Sequence, residues 1–307
     1  MIARRHLLAF SGCGWIGKSL GAPLAPQAPS FRSTVNLVLL DVLVTDSAGH
    51  PVAGLDRANF RIKERNRFVP IDRVSTGATN LSVGLVLDYS RSMIHSQARV
   101  VQAVEQLRTR LSPTDEAFIL TFNERVTKAV PPALMSANVA GRWSSQLYKT
   151  RPDGQTALYD AIVEAASTLH SATHPRRAIL VLSDGKDTAS QATRADADRA
   201  LLESNTLFYA VGLFAPGDLD TDPGTLSSFA HHTGGRAIFE PRLEFLATEF
   251  DRILAELRSR YVLGFLTSEP TAVAGETRRV HVYATDAQGR SLRVRTRESF
   301  FIAGEAK

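Results

Sequence analysis

The centre of the chain alternates between continuous apolar runs and segments whose apolar residues recur at helical spacing. The runs LSVGLVLD (81–88), EAFILTF (116–122), RAILVLSD (177–184) and TLFYAVGLF (206–214) are short and apolar enough to be strands buried on both faces. Between them, 98–111 places Val100, Val101, Val104, Leu107 and Leu111 on one helical face, and 156–169 does the same with Leu158, Ile162, Ala165, Ala166 and Leu169. Helices are also predicted over 192–204, 225–234 and from about Leu243 to Arg258, with a short strand RAIFE at 236–240. Buried strands separated by amphipathic helices imply an α/β fold, a doubly wound and mainly parallel sheet with helices on both faces.

The flanks have a different rhythm. Residues 31–79 and 259–307 read as strands joined by turns, and both carry a Thr-Asp-x-x-Gly turn, Thr45 to Gly49 and Thr285 to Gly289. Each is small for a core of its own, so the pair is expected to form one smaller β-rich, sandwich-like module around the inserted α/β domain. The expected organisation is an export signal and linker at 1–30, an N-terminal β segment at 31–79, the α/β domain at 80–258 and a C-terminal β segment at 259–307 packed with the first. Charges recur every second residue at Arg61, Lys63, Arg65 and Arg67 and again at Arg293, Arg295 and Arg297, the pattern of solvent-facing or edge strands protected from aggregation, with a site for an anionic polymer as the alternative. A basic module could also dock onto an acidic α/β domain.

The 307 residues are 44% hydrophobic and 22% charged, which excludes a mainly disordered or fibrous chain. No run approaches the roughly 20 apolar residues of a bilayer span, so no transmembrane helix is expected in the mature chain. One cysteine, Cys13, excludes intramolecular disulfides and multi-cysteine metal sites. The net charge of +5 suggests nucleic acid until it is located: residues 80–257 hold 17 basic against 21 acidic groups, and the excess of positive charge lies in the flanks. No nucleic-acid partner is expected.

The first 30 residues combine a positive head, Arg4 and Arg5, with a weakly apolar stretch and an Ala/Pro-rich end, the layout of an export signal. The run RRHLL resembles a twin-arginine signal, and the protein is expected in the periplasm, at the cell surface or secreted. Gly12, Gly17, Lys18 and Ser19 satisfy a phosphate-loop pattern, but Pro23, Pro26 and Pro29 prevent the helix such a loop must open. Acylation of Cys13 is disfavoured because Phe10 stands where a lipoprotein box has leucine.

Ligands of an open α/β sheet bind at the carboxyl ends of its strands, where strand order reverses. There the chain places Asp88-x-Ser90-x-Ser92, Thr156 ahead of a predicted helix, and Asp184 after Ser183, an oxygen-only set suited to Mg²⁺ or Mn²⁺. These residues resemble the metal-ion-dependent adhesion site of von Willebrand factor type A (VWFA) domains, with all five positions filled in the family's order. With the flanking segments, GQTALYDAI and LSDGKDTAS, the likeness extends from about Val35 to Phe301, and the chain resembles the bacterial VWFA-related, acidobacterial-type family. By that resemblance Ser90 and Ser92 would ligate metal directly, Thr156 directly or through water, and Asp88 and Asp184 largely through water.

The function this implies is an exported, divalent-cation-dependent adhesion-type protein whose metal accepts an Asp or Glu carboxylate from a protein partner. The alternative is a structural or assembly subunit of a cell-envelope complex in which metal only stabilises the fold, and a metal-dependent hydrolase is the minor third reading. No catalytic residues are assigned: the chain has no H-E-x-x-H or G-x-S-x-G, and His95, His231 and His232 are expected to be exposed or locally hydrogen-bonded. Asp160 is read as structural, and Asp187, outside the motif, as a position that tolerates change.

Overall fold

The computed structural model describes residues 37–76, 80–136, 143–212, 221–239, 245–267 and 276–302. The readings on the first 30 residues, including Cys13 and the phosphate-loop pattern, lie outside these. The N-terminal strands are β1 (Leu37–Thr45), β2 (Phe60–Glu64), β3 (Arg67–Val69) and β4 (Ile71–Thr76). The α/β region runs β5 (Leu81–Asp88), α1 (Gln97–Arg108), β6 (Glu116–Phe122), β7 (Val126–Leu134), α2 (Trp143–Leu147), α3 (Leu158–His170), β8 (Arg176–Ser183), α4 (Arg194–Glu203), β9 (Thr206–Gly212), α5 (Pro223–Thr233), β10 (Arg236–Phe239) and α6 (Leu246–Arg258). Four strands close the chain: β11 (Tyr261–Leu266), β12 (Thr277–Thr285), β13 (Ser291–Arg295) and β14 (Ser299–Phe301).

The α/β region is a six-stranded sheet in the order β10-β9-β8-β5-β6-β7, parallel except for β7, which pairs antiparallel with β6. Every position of β5 and β9 is buried, because alternate residues feed two different cores. Leu85, Leu87, Leu180, Leu182, Tyr209 and Val211 pack on the face covered by α1, α2 and α6. Val86, Leu120, Val181, Phe208 and Ala210 pack against α3, α4 and α5 on the other. Strand β7 and the short α2 are elements the apolar pattern misses: in β7, VTKAVPPAL has no buried run and contains Pro131 and Pro132, which an edge strand tolerates because one side of its backbone has no ladder to complete.

The flanks form a second, antiparallel sheet in the order β3-β2-β12-β13-β1-β11-β4, with β14 added beside β12. Its strands alternate as expected for one buried face, most plainly β12, in which Arg278, Val280, Val282 and Ala284 are inside. The eight strands are a single hydrogen-bonded sheet where a sandwich-like pair is expected. It curls over its own core: Phe60 of β2 meets the ring of Tyr261 on β11 at 5.2 Å, and Phe265 of β11 meets Phe300 of β14 at 5.6 Å. A buried pair, Arg278 Nη1 donating to Glu64 Oε1 at 3.0 Å, lies inside it.

Buried guanidinium groups join the two sheets. Arg176, at the start of β8, donates to Leu257 O at 2.8 Å and Arg260 O at 3.1 Å and pairs with Asp41 of β1 at 3.3 Å. Arg260 donates to Gly234 O, to the Tyr209 hydroxyl at 3.1 Å and to Asp41 O at 3.3 Å. The basic β13 also reaches the α/β region, through Arg295 to Glu256. None of the described helices is long and apolar enough to cross a membrane.

Candidate functional site

Strand order reverses between β5 and β8: the chain leaves β5 for β6 on one side and β8 for β9 on the other. The carboxyl ends of these two neighbours hold Asp88, the last residue of β5, and Ser183 and Asp184 at the end of β8. The sequence motif is therefore placed at the topological switch point.

There the side chains bond to one another. Ser183 Oγ donates to Asp88 Oδ2 at 2.6 Å, and the Ser90 amide donates to Asp88 Oδ1 at 2.9 Å. Ser92 Oγ donates to Asp184 Oδ2 at 2.8 Å and lies 3.0 Å from Ser90 Oγ, while the Lys186 amide donates to Asp184 Oδ1 at 3.1 Å. Asp88, Ser90, Thr156 and Asp184 are buried, and Ser92 is exposed. Burial is the chief reason that the Asp88 carboxyl is pushed up to about 6, with the Asp184 charge adding to it and the bonds from Ser183 and Ser90 opposing it.

Thr156 is engaged through its backbone. Its amide donates to Thr188 Oγ1 at 3.0 Å, and its carbonyl accepts from Thr188 N at 2.8 Å and Ala189 N at 3.0 Å. The loop before α3 is also stitched to the β5 loop by Arg91 N to Gly154 O at 3.2 Å and Asp153 N to Tyr89 O at 2.9 Å. Gly185 has φ +87°, and a Cβ there would stand 2.4 Å from Asp222 O, so the loop ahead of α5 closes against the cluster only because this residue is glycine.

The structure corrects the metal assignment. The cluster supplies two carboxylates, all four oxygens accept protein hydrogen bonds, and among the described residues no group of three or more His, Cys, Asp and Glu is placed to hold a metal ion. This overturns the expectation of a complete metal-ion-dependent adhesion site and of Mg²⁺ or Mn²⁺ as cofactor at Asp88, Ser90, Ser92, Thr156 and Asp184. The adhesion reading, with a partner carboxylate bound to that metal, falls with it.

Other residues sharpen or revise the sequence reading. Asp160 accepts from the Gln191 and Ala192 amides at 3.0 and 2.8 Å, a structural use. Asp187 is not a neutral position: its Oδ1 accepts from the Tyr159 amide in the first turn of α3 at 3.2 Å and from Ser190 Oγ. Ser183 and Ser190 went unassigned, and the only signal for them was the density of hydroxyls in LSDGKDTAS. His231 and His232 occupy the last turn of α5, with His232 Nδ1 3.1 Å from Asp198 Oδ1 and His231 Nε2 3.6 Å from Glu298 Oε1.

Comparison with known proteins agrees with the fold. Residues 83–186 match the family model described as von Willebrand factor type A domain. No curated protein is matched. Among solved structures, a von Willebrand factor type A protein from Catenulispora acidiphila is similar at 15% identity and TM-score 0.53, over 80% of this chain and 74% of that one. Proximal thread matrix protein 1 from the mussel byssus, with a zinc-occupied MIDAS motif, is similar at 13% identity and TM-score 0.50, and the match covers 64% of this chain and half of that one. An aerotolerance-related membrane protein from Bacteroides fragilis follows at 16% identity and TM-score 0.47, over 58% of this chain and 98% of that one. At such identities the likeness is one of fold.

Proposed function

We propose that this chain is an exported structural or assembly subunit of a cell-envelope complex, with a non-catalytic role. One observation carries the reading: the residues at the functional edge of the sheet are committed to one another, Ser183 to Asp88 and Ser92 to Asp184, across the two strands that flank the switch point. In this reading Asp88, Ser90, Ser92, Ser183 and Asp184 form a loop-locking cluster, with Thr156 holding the neighbouring 188–189 turn through its backbone, and together they present a rigid surface to neighbouring subunits. The positive head and Ala/Pro-rich end of the first 30 residues support export.

The test is size fractionation of envelope extracts containing the full chain, with N-terminal sequencing of the mature form. The expected result is a shortened chain in a high-mass assembly that persists in EDTA. An intact Met1 in the cytoplasmic fraction, or an assembly that dissociates in EDTA, would count against the proposal.

A further inference from the structure

The curled sheet has an outer face that is exposed over β3 and β2 and that, toward β12, borders α4 and α5 across clefts lined by Asp198, His231 and His232. Its outward positions are set by register: Tyr283 of β12 lies opposite Arg61 of β2, His281 opposite Lys63, and Lys63 in turn opposite Phe68 of β3. Phe68 and Tyr283 are 53% and 47% exposed, far more than aromatic rings in a sheet that has a core available to them. They stand side by side with ring centroids 6.3 Å apart, and the Arg61 guanidinium lies over Phe68 at 3.9 Å. Arg279 continues the row along β12, exposed like Tyr283 and His281.

The inward positions of the same strands are apolar or paired, so the outward pattern is not a by-product of composition. No Asp or Glu occupies an outward position of β2 or β12; at the borders, Glu276 pairs with Arg65 of the β2–β3 turn, and Glu298 adjoins Arg279 and His281 on a cleft of about 480 Å³ shared with Asp198 and His232. Adjacent strands are about 4.8 Å apart and same-face residues along a strand about 6.7 Å apart, so cations and rings alternate on a shallow grid.

We propose that this face binds an acidic polysaccharide, a polymer carrying carboxylates beside apolar sugar-ring faces. Carboxylates pair with Arg61, Lys63 and Arg279, and the ring faces stack on Tyr283 and the free edge of Phe68. Charge complementarity demands a polyanion, and the backbone argues for a sugar polymer over an acidic peptide. Strand β2 lies between β3 and β12, and β12 between β2 and the β13 and β14 pairings at its two ends, so a peptide laid across the face of these strands, away from the open edge of β3, could add no strand. Recognition must come from side chains alone, which suits a ligand whose apolar and charged surfaces alternate within each repeat. This site is separate from the loop-locking cluster and does not depend on the role proposed for it.

The experiment is calorimetric titration of the full chain with alginate oligosaccharides, alongside neutral dextran, poly-glutamate and vesicles of phosphatidylglycerol. Binding of alginate and not dextran is expected, weakening as salt rises, and falling at least tenfold in Lys63→Glu, Arg279→Glu and Tyr283→Ala. Arg99→Glu, the same charge change as Lys63→Glu made on an exposed position of α1, should bind like wild type. These side chains are outward, and unchanged melts would confirm folding. The proposal is overturned if wild type ignores alginate, if poly-glutamate or vesicles bind as tightly, or if Tyr283→Ala leaves affinity unchanged, since that would leave only ion exchange.

Discussion

Asp88 sits 1% exposed with a second carboxylate nearby, and its folded-state value of about 6 lies above the roughly 3.9 of an unfolded aspartate. Between those values the folded chain holds more protons, so this group's contribution is fully present below about pH 4 and is lost as pH rises through 6. The difference corresponds to on the order of 3 kcal/mol. Relative to Asp88→Asn, wild type should therefore lose stability between pH 4 and 7, read from urea midpoints at each pH; parallel curves would mean that Asp88 does not titrate in this range. Asp187→Ala should lower stability by about 1 kcal/mol, the usual cost of an N-terminal cap, and a melt identical to wild type would refute its assignment to α3. These two aspartates, 88 and 187, show where the sequence was readable. A carboxylate at the end of a buried strand is visible from the apolar run before it. A carboxylate that caps a helix 28 residues away is not, because its partner is fixed by the path of a loop.

At the scale of elements, Asp115 ties the start of β5 to the end of α6. Completely buried, it accepts from Leu81 N at the start of β5, from Ser112 N, and from Arg258 in the last turn of α6 at 2.6 Å. Asp115→Ala strands two backbone donors and a guanidinium, and should cost about 3 kcal/mol. Asp72→Ala, exposed on β4, should change stability by less than about 0.5 kcal/mol. Guanidinium denaturation of both variants checks the contrast, and similar midpoints would remove Asp115 as a tie between elements. The central strands were legible because burial on both faces forces unbroken apolar runs, and the helices because one face must be apolar. Strand β7 was not: as an edge strand with two prolines it obeys neither constraint, and only pairing with β6 defines it.

At the scale of the molecule, β4 and β11 pair antiparallel, Val74 with Leu263, so the chain leaves the curled sheet and re-enters it between neighbouring strands. The segment 80–258 should accordingly melt cooperatively on its own, though below the full chain's midpoint because Arg176 loses Asp41 and Arg260. Segment 31–79 alone should show no transition by circular dichroism; a stable fold there would contradict the shared sheet. The same arrangement sets a timetable during synthesis. Leu37 pairs with Leu266, so β1 has no partner until the ribosome has made the whole intervening domain. At about 5–20 residues per second that wait is roughly 10 to 45 s. Throughout it, β1, β2 and β4 are nascent strands with open edges, and the alternating Arg61, Lys63, Arg65 and Arg67 put mutual repulsion on the stretch around β2. The charges that later face outward thus serve first as a guard on an unfinished chain.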